Sequence, residues 1–404
     1  MKEGWELKKL NEACLIRPPK KEAKELLSSD DLVSFVPMDT LGINTKFFKP
    51  TQEKKLSAVS GSYTYFRNND VLLAKITPCF ENGKIGIAKN LKNGIGFGSS
   101  EFIVYRSSQE LLPECLYYFL NQESFRKTGH NLMTGAVGHK RIPKEFYEEW
   151  LIPIPPLSEQ KQIVTILDEA FAAIDQAKAN IEKNIENTRE LFQNKLNEIF
   201  SKNDDSWELK KFREVCGFVR GPFGGSLKKN CFKPNGNAVY EQQHAINNQF
   251  DKIRYFVDDE KFEEMKRFQL FSGDLIMSCS GTMGKVAIVP DNIKRGIINQ
   301  ALLKLTPNNN LSAEYLRYWM GSNDFQESIA KHSQGAAIKN VASVKILKEI
   351  ELPCPPLIEQ KEIVTKLDEL NKYCDGLYKA YQQKLHNEEQ LKKAILQNVF
   401  GGYL

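Results

Sequence analysis

A phosphate-binding loop requires G-x-x-x-x-G-K-[ST], whose backbone N–H groups cradle phosphates and whose hydroxyl holds magnesium. The nearest string, Gly281-Thr282-Met283-Gly284-Lys285-Val286, is two residues short and ends on valine. It reads as a turn between strands. Gly94-Ile95-Gly96-Phe97-Gly98 has the glycines of a dinucleotide or methyl-donor loop, yet it leads into another β-like run instead of a helix. An adenine methyltransferase would carry an Asn- or Asp-Pro-Pro-aromatic tetrapeptide. The Pro-Pro pairs here are Pro18-Pro19, Pro155-Pro156 and Pro355-Pro356, and none qualifies.

The histidines (His130, His139, His244, His332, His386) fall at no spacing that compels a triad, and the eight cysteines form no C-x-x-C pair. The acidic pair Asp168-Glu169 and its counterpart Asp368-Glu369 open helical stretches beside lysines and read as solvated helix charge. No catalytic, cofactor-binding or metal-ligating residue is assigned, and the chain is expected to be no enzyme.

Fifty-six Lys and Arg against 51 Asp and Glu leave a formal charge of +5, too little over 404 residues to reveal a nucleic-acid partner by itself. No apolar run approaches the roughly 20 residues of a membrane span. Met1 to Leu10 lacks the apolar core of a secretory signal. The expectation is a soluble cytoplasmic protein with no membrane partner and with reduced, mostly buried thiols.

The chain is written twice. Trp5-Glu6-Leu7-Lys8-Lys9 returns as Trp207-Glu208-Leu209-Lys210-Lys211, and Pro153 to Glu169 returns as Pro353 to Glu369 with 13 of 17 positions identical. The Gly83-Lys84 and Gly284-Lys285 hairpins correspond, as do Gly135-Ala136 and Gly335-Ala336. Between these blocks side-chain identity largely disappears, as when one scaffold carries different loops.

Each copy divides at its proline-rich junction. About 150 residues of β-like runs, Gly/Asn turns and short helices precede it, and about 45 residues of helix-forming composition follow. A three-four spacing marks the helices. Ile163, Leu167, Ile174, Ile181 and Ile185 run along the first, and Ile363, Leu367, Leu370, Leu377, Tyr381, Leu391 and Ile395 along the second. Such a seam wants a helical partner, and the nearest is the other copy. The expected fold class is therefore α+β: two similar mixed α/β domains, each followed by a long helix, the helices pairing as an antiparallel coiled coil with pseudo-two-fold symmetry. The domain boundaries are placed at 1–152, 153–202 (central spacer helix), 203–352 and 353–404 (C-terminal spacer helix).

The doubled Pro-x-Pro-Pro-Leu-x-Glu-Gln-x-x-Ile-Val block, with Trp-Glu-Leu-Lys-Lys opening each copy, resembles the specificity subunits of type I restriction-modification systems, and the resemblance spans the whole chain. It implies two target-recognition domains that read the two halves of a bipartite double-stranded DNA target, with a spacer set by the coiled coil. It also implies two modification (adenine methyltransferase) subunits and two restriction (motor-nuclease) subunits as partners. Those partners would carry S-adenosylmethionine, ATP and magnesium.

Base readout needs amide, guanidinium and hydroxyl groups on loops, and phosphate contacts need Lys, Arg and backbone N–H. In the first domain these types point to Tyr63, Tyr65, Arg67, Lys75, Thr77, Asn82, Lys84, His139, Lys140 and Arg141. In the second they point to Arg220, Lys228, Lys229, Gln242, Gln243, His244, Ser280, Thr282, Lys285, Lys339 and Asn340. The rival readings are a stand-alone DNA-binding regulator, a coiled-coil adaptor that never touches DNA, and an enzyme whose site is assembled from dispersed residues.

Overall fold

The computed structural model describes residues 3–43, 45–201, 207–223, 225–280, 282–331 and 344–401. The chain divides into two units. One comprises residues 1–181 with 382–404, the other residues 182–381. The two long helices, Leu157–Ser201 and Leu357–Phe400, are cut near their middles by this division, so each unit holds part of both.

In the first unit, a five-stranded sheet runs in the order Cys14–Ile16, Phe102–Ser107, Val71–Ala74, Ile85–Ala88, Phe47–Phe48. A four-stranded sheet runs Gln52–Lys55, Leu32–Val36, Ile95–Gly98, Thr64–Arg67, and its central pair is parallel. The second unit repeats the plan with fewer strands. Cys216–Arg220, Leu302–Pro307, Leu275–Ser278 and Val286–Ile288 form one sheet, and Tyr255–Val257, Asn237–Tyr240 and Gly296–Ile298 the other, again around a parallel pair. Alternating burial would be expected of half-exposed strands, but Val71–Ala74 and Leu275–Ser278 are buried at every position because both faces are covered.

The repeated words meet in space. Glu6–Lys9 pairs antiparallel with Leu151–Ile154, Glu6 opposite Ile154 and Lys9 opposite Leu151. Glu208–Lys211 pairs with Glu351–Cys354 in the same register. Pro153 and Pro353 lack an N–H, which a two-stranded ribbon tolerates because each strand has a free edge.

From this ribbon the chain turns into the helix, and two side chains of the helix's first turn fasten it. Trp5 Nε1 donates to Glu159 at 3.0 Å, and Trp207 Nε1 to Glu359 at 2.9 Å. The fully buried Gln160 amide accepts from Leu112 N–H at 2.8 Å and donates to the carbonyls of Glu110 and Pro155 at 2.6 and 2.8 Å. Gln360 does the same with Ser312 N–H and the carbonyls of Asn310 and Pro355. About two turns further, Tyr118 donates to Asp168 and Tyr318 to Asp368.

Helix pairing within each unit is antiparallel. In the first, Asp175 bonds Lys392 and Lys178 faces Glu389 at 3.5 Å, so one residue number rises by three as the other falls by three. In the second, the Arg189 guanidinium lies over the Tyr378 ring, while Leu196 and Phe200 share a core cluster with Ile363 and Leu367. Ile163, Leu167, Ile174, Ile181, Ile185, Ile363 and Leu367 are buried as the spacing predicts. Leu370, Leu377, Tyr381 and Ile395 are half-buried, and Leu391 is 46% exposed, with Lys392 in the row beside it instead. The seam shifts there because Lys392 pairs with Asp175 and its ammonium covers the Phe171 ring.

The helices do more than space. Leu396, Val399 and Phe400 join the core beneath the first unit's sheet, and Leu196 and Phe200 join that of the second. Phe119 meets Phe400 edge-on at 5.4 Å, and Tyr315 meets Phe200 at 5.3 Å. No helix among the described residues is long and apolar enough to cross a membrane.

Truncating Gln160 to Ala leaves one N–H and two carbonyls without this partner, at roughly 1–3 kcal/mol for each that water cannot reach. The expected result is a urea transition at clearly lower concentration for the first unit, with the exposed Gln162→Ala as the unaffected control. Equal transitions would show that the amide does not hold the junction.

Candidate nucleic-acid interface

The parallel strand pair of each unit ends on the same turn. After Ile95–Gly98 come Ser99-Ser100-Glu101. Phe102 N–H closes on the Ser99 carbonyl at 3.1 Å, and the Ser99 hydroxyl accepts from Glu101 N–H at 3.2 Å. After Gly296–Ile298 come Asn299-Gln300-Ala301. Leu302 N–H closes on Asn299 at 3.3 Å, and the Asn299 side-chain oxygen accepts from Ala301 N–H at 3.0 Å. The backbone repeats and the side chains do not.

Loops gather on each turn through backbone hydrogen bonds. In the first unit, Lys75 N–H reaches the Glu101 carbonyl at 3.0 Å and anchors the 75–84 hairpin, while Ser99 N–H reaches Val36 at 3.3 Å and anchors residues 37–39. The 134–141 loop joins through Thr77 N–H to Lys140 at 2.9 Å and Ile142 N–H to Lys75 at 3.1 Å. A cleft of about 350 Å³ opens beside the turn, with Arg17, Lys20, Tyr63, Lys75 and Ser100 on its wall. In the second unit, Cys279 N–H bonds Ala301, Gly221 N–H bonds Leu302 and Asn299 N–H bonds Tyr240, all at 2.9 Å. A Cβ on Gly221 would stand 1.9 Å from the Asn299 carbonyl oxygen, so only glycine lets this loop lie against the turn.

The residues picked by type fall into three groups. Those exposed are Asn82, His139, Lys140, Lys228, Lys229, Gln243, Thr282 and Lys285, with Tyr63, Gln242 and Ser280 half-buried. A second group is engaged in holding loops. Lys75 Nζ donates to the Ser100 carbonyl at 3.0 Å, Lys84 Nζ to Met38 at 2.8 Å, Thr77 to Glu81 at 2.8 Å, and Arg220 to the Leu302 carbonyl at 2.9 Å. Arg141 forks onto Glu101 at 2.8 and 2.9 Å and holds that carboxyl below its usual range. Burial pulls the Lys75 ammonium below its usual value.

The third group is buried, distant from the turn or outside the described residues. Tyr65 is 1% exposed and donates to Glu22 at 3.2 Å, and His244 is 1% exposed, its Nδ1 accepting from Glu241 N–H and its Nε2 bonding the Lys252 carbonyl. These are internal supports. Arg67 pairs opposite Ile95, at the end of its strand away from the turn. Lys339 and Asn340 lie outside the described residues. Residue type missed Arg17, Lys20, Ser100, Asn299 and Gln300. The signal lay in the repeat, because Ser99-Ser100 and Asn299-Gln300 stand 200 residues apart at the ends of matching strands.

Burial pushes the thiols of Cys14, Cys115 and Cys216 up to about 12, far from the thiolate a nucleophile needs. Among the described residues no three His, Cys, Asp or Glu side chains gather as a metal site. Gly284 sits at φ +74° in the hairpin, as does Gly83 in the first unit, a turn and not a phosphate cradle.

The family profile of the type I restriction modification DNA specificity domain matches residues 2–187 and again 204–387. The chain belongs to this family. Over 175 residues it is 37% identical to the EcoEI specificity subunit of Escherichia coli, and over 179 residues 40% identical to the EcoAI specificity subunit. Each match covers 43% of this chain and only 29% of the Escherichia coli subunit. The MjaVIII specificity subunit of Methanocaldococcus jannaschii is 23% identical across 99% of this chain and 93% of its own. Among solved structures, a chain from work on complex assembly and conformational transition of the type I R-M system superposes with a TM-score of 0.81. It is 20% identical and covers 99% of this chain and 98% of its own. The HsdS subunit of Thermoanaerobacter tengcongensis gives 0.66 at 20% identity, covering 100% and 98%. At that identity the likeness speaks to fold, and it agrees with the twice-built frame of this specificity-domain protein.

Lys140 has no side-chain partner among the described residues, whereas Arg141 tethers its loop. Replacing Lys140 by Ala is expected to lower the slope of log affinity against log salt by about one for the assembled complex on duplex DNA. Arg141→Ala frees Glu101 as well and is expected to cost more affinity. An unchanged slope for Lys140→Ala would remove that side chain from the interface.

Proposed function

We propose that this chain is the DNA-reading, non-catalytic specificity subunit of a type I restriction-modification complex. The observation that carries the reading is the pair of equivalent turns, Ser99–Phe102 and Asn299–Leu302, on which loops of different chemistry converge over one repeated frame. A repeated frame with unlike surfaces is what a two-part target demands, since each half must be presented alike and read differently.

Residues 1–152 and 203–352 are the target-recognition domains, and 153–202 and 353–404 are the helices that set the spacer. Exposed Lys140, Lys228, Lys229 and Lys285 serve phosphate, and the turns with Tyr63, Gln243 and Thr282 serve base edges. Two modification subunits supply adenine methylation with S-adenosylmethionine. Two restriction subunits supply ATP- and magnesium-dependent cleavage. The complex works on DNA in the cytoplasm. A DNA-free adaptor would have no use for two unlike clusters of exposed polar loops, and the match of both halves to the specificity-domain family favours a specificity subunit over a regulator acting alone.

The test is the modified-base motif in DNA from cells expressing the chain with its cognate modification subunit, expected to be bipartite. Removing one heptad from each helix is expected to change the spacer or abolish assembly while leaving both half-sites intact. An altered half-site, or an intact wild-type complex that marks no motif, contradicts the reading.

A further inference from the structure

Resting on the DNA-reading function above, we propose that the second domain recognises an adenine-bearing base pair through side-chain amides, with Gln243 and Gln300 as its specificity-determining residues. The first domain lacks such a set. The parallel strand pairs supply the alignment. Val36 stands opposite Gly98 in the first domain, and Tyr240 opposite Ile298 in the second. The residues that follow therefore correspond: Pro37-Met38-Asp39 with Glu241-Gln242-Gln243, and Ser99-Ser100-Glu101 with Asn299-Gln300-Ala301.

At these six positions the second domain carries four amides and the first carries none. The hydrogen bond from Asn299 N–H to the Tyr240 carbonyl ties the two amide-bearing segments together. Their roles differ. Asn299 spends its oxygen on Ala301 N–H and so positions the turn. Gln300 is exposed and has no side-chain partner among the described residues. Gln243 is exposed, its amide nitrogen 3.3 Å from Glu241. Gln242, beside it, holds a side-chain oxygen that is shielded from solvent and unpaired among the described residues.

An amide presents one donor and one acceptor in a plane, which matches N7 and N6–H₂ of adenine in the major groove and no other base edge as well. In the first domain the position aligned with Gln243 is the exposed carboxylate of Asp39 and the one aligned with Gln300 is Ser100, while Glu101 is occupied by the Arg141 fork, so a bare acceptor and hydroxyls stand where the second domain has amides. The two half-sites are thus read by different chemistry on one backbone.

The experiment uses the full chain assembled with its cognate modification subunit, comparing wild type with Gln300→Glu and Gln243→Glu by modified-base sequencing and by binding to singly substituted duplexes. Glutamate keeps the shape and removes the donor, favouring the N4–H₂ of cytosine. Discrimination at one A·T pair of a single half-site is expected to fall by roughly 5- to 150-fold, with relaxation toward C·G, while the other half-site and the spacer stay as in wild type. Wild-type complex is also expected to lose affinity when an adenine of that half is replaced by 7-deazaadenine, a readout independent of any variant's folding. A bipartite motif that both variants leave unchanged, or that relaxes only at a G·C pair or in the other half, overturns the amide assignment alone. Insensitivity to 7-deazaadenine throughout that half does the same. An assembled wild-type complex that marks no bipartite motif overturns the function and this inference together.

Discussion

A single buried amide in each half, Gln160 and Gln360, joins three backbone groups from the domain and the junction to the first turn of a long helix. Neither has any exposed surface, and each bonds one backbone N–H and two carbonyls, of which the Pro155 and Pro355 carbonyls are buried with it. Hydrogen-bond geometry therefore constrains the direction in which the helix leaves the domain, together with the packing of Ile163 and Leu167 on Ile152 and Ile154 and of their counterparts in the second half. Trp5 with Glu159, Tyr118 with Asp168 and their partners in the second half brace the same joint from either side. Under the proposed function such a joint is what a spacer requires, since one held by slipping apolar contacts alone would not hold a length.

With the joint fixed, the proposed reading surface is free to vary. The turns Ser99–Phe102 and Asn299–Leu302 are held by backbone hydrogen bonds and one side-chain cap, so exposed positions such as Ser100 and Gln300 can change without disturbing the strands beneath. The loops around them are tied down the same way, Lys75 to Glu101 and Cys279 to Ala301. Residues that look like readers by type are in several cases the ties. Arg141 spends its guanidinium on Glu101, and Lys84 its ammonium on Met38. Under the proposed function, phosphate-positioning and base-reading groups would thus rest on a third class that holds the loops, Arg141 and Lys84 among them.

Much of this architecture was legible in the repeat. The Trp-Glu-Leu-Lys-Lys and Pro-x-Pro-Pro-Leu-x-Glu-Gln words mark the ribbon and the junction because those are the places where one backbone geometry needs particular side chains. The heptad positions from Ile163 to Ile185 were readable because helical burial has a period. Leu391 was misplaced because the row there is set by the Lys392–Asp175 contact, which links residues far apart in sequence. Tyr65 and His244 have types that suit either a reader or a core hydrogen bond, and only tertiary packing against Glu22 and the Lys252 carbonyl decides between them. That Leu196 and Leu396 complete cores built by distant strands was equally hidden, since nothing local distinguishes a seam leucine from a core leucine.

The central claim is that repeated words build the frame and the unlike turns meet DNA. Its most direct test is the course of a cognate duplex in the structure of the complete assembly. The account predicts base edges within hydrogen-bond reach of Ser99–Phe102 and Asn299–Leu302, with the ribbons Glu6–Lys9/Leu151–Ile154 and Glu208–Lys211/Glu351–Cys354 clear of the DNA. A duplex lying along those ribbons, with the turns facing solvent, would contradict it.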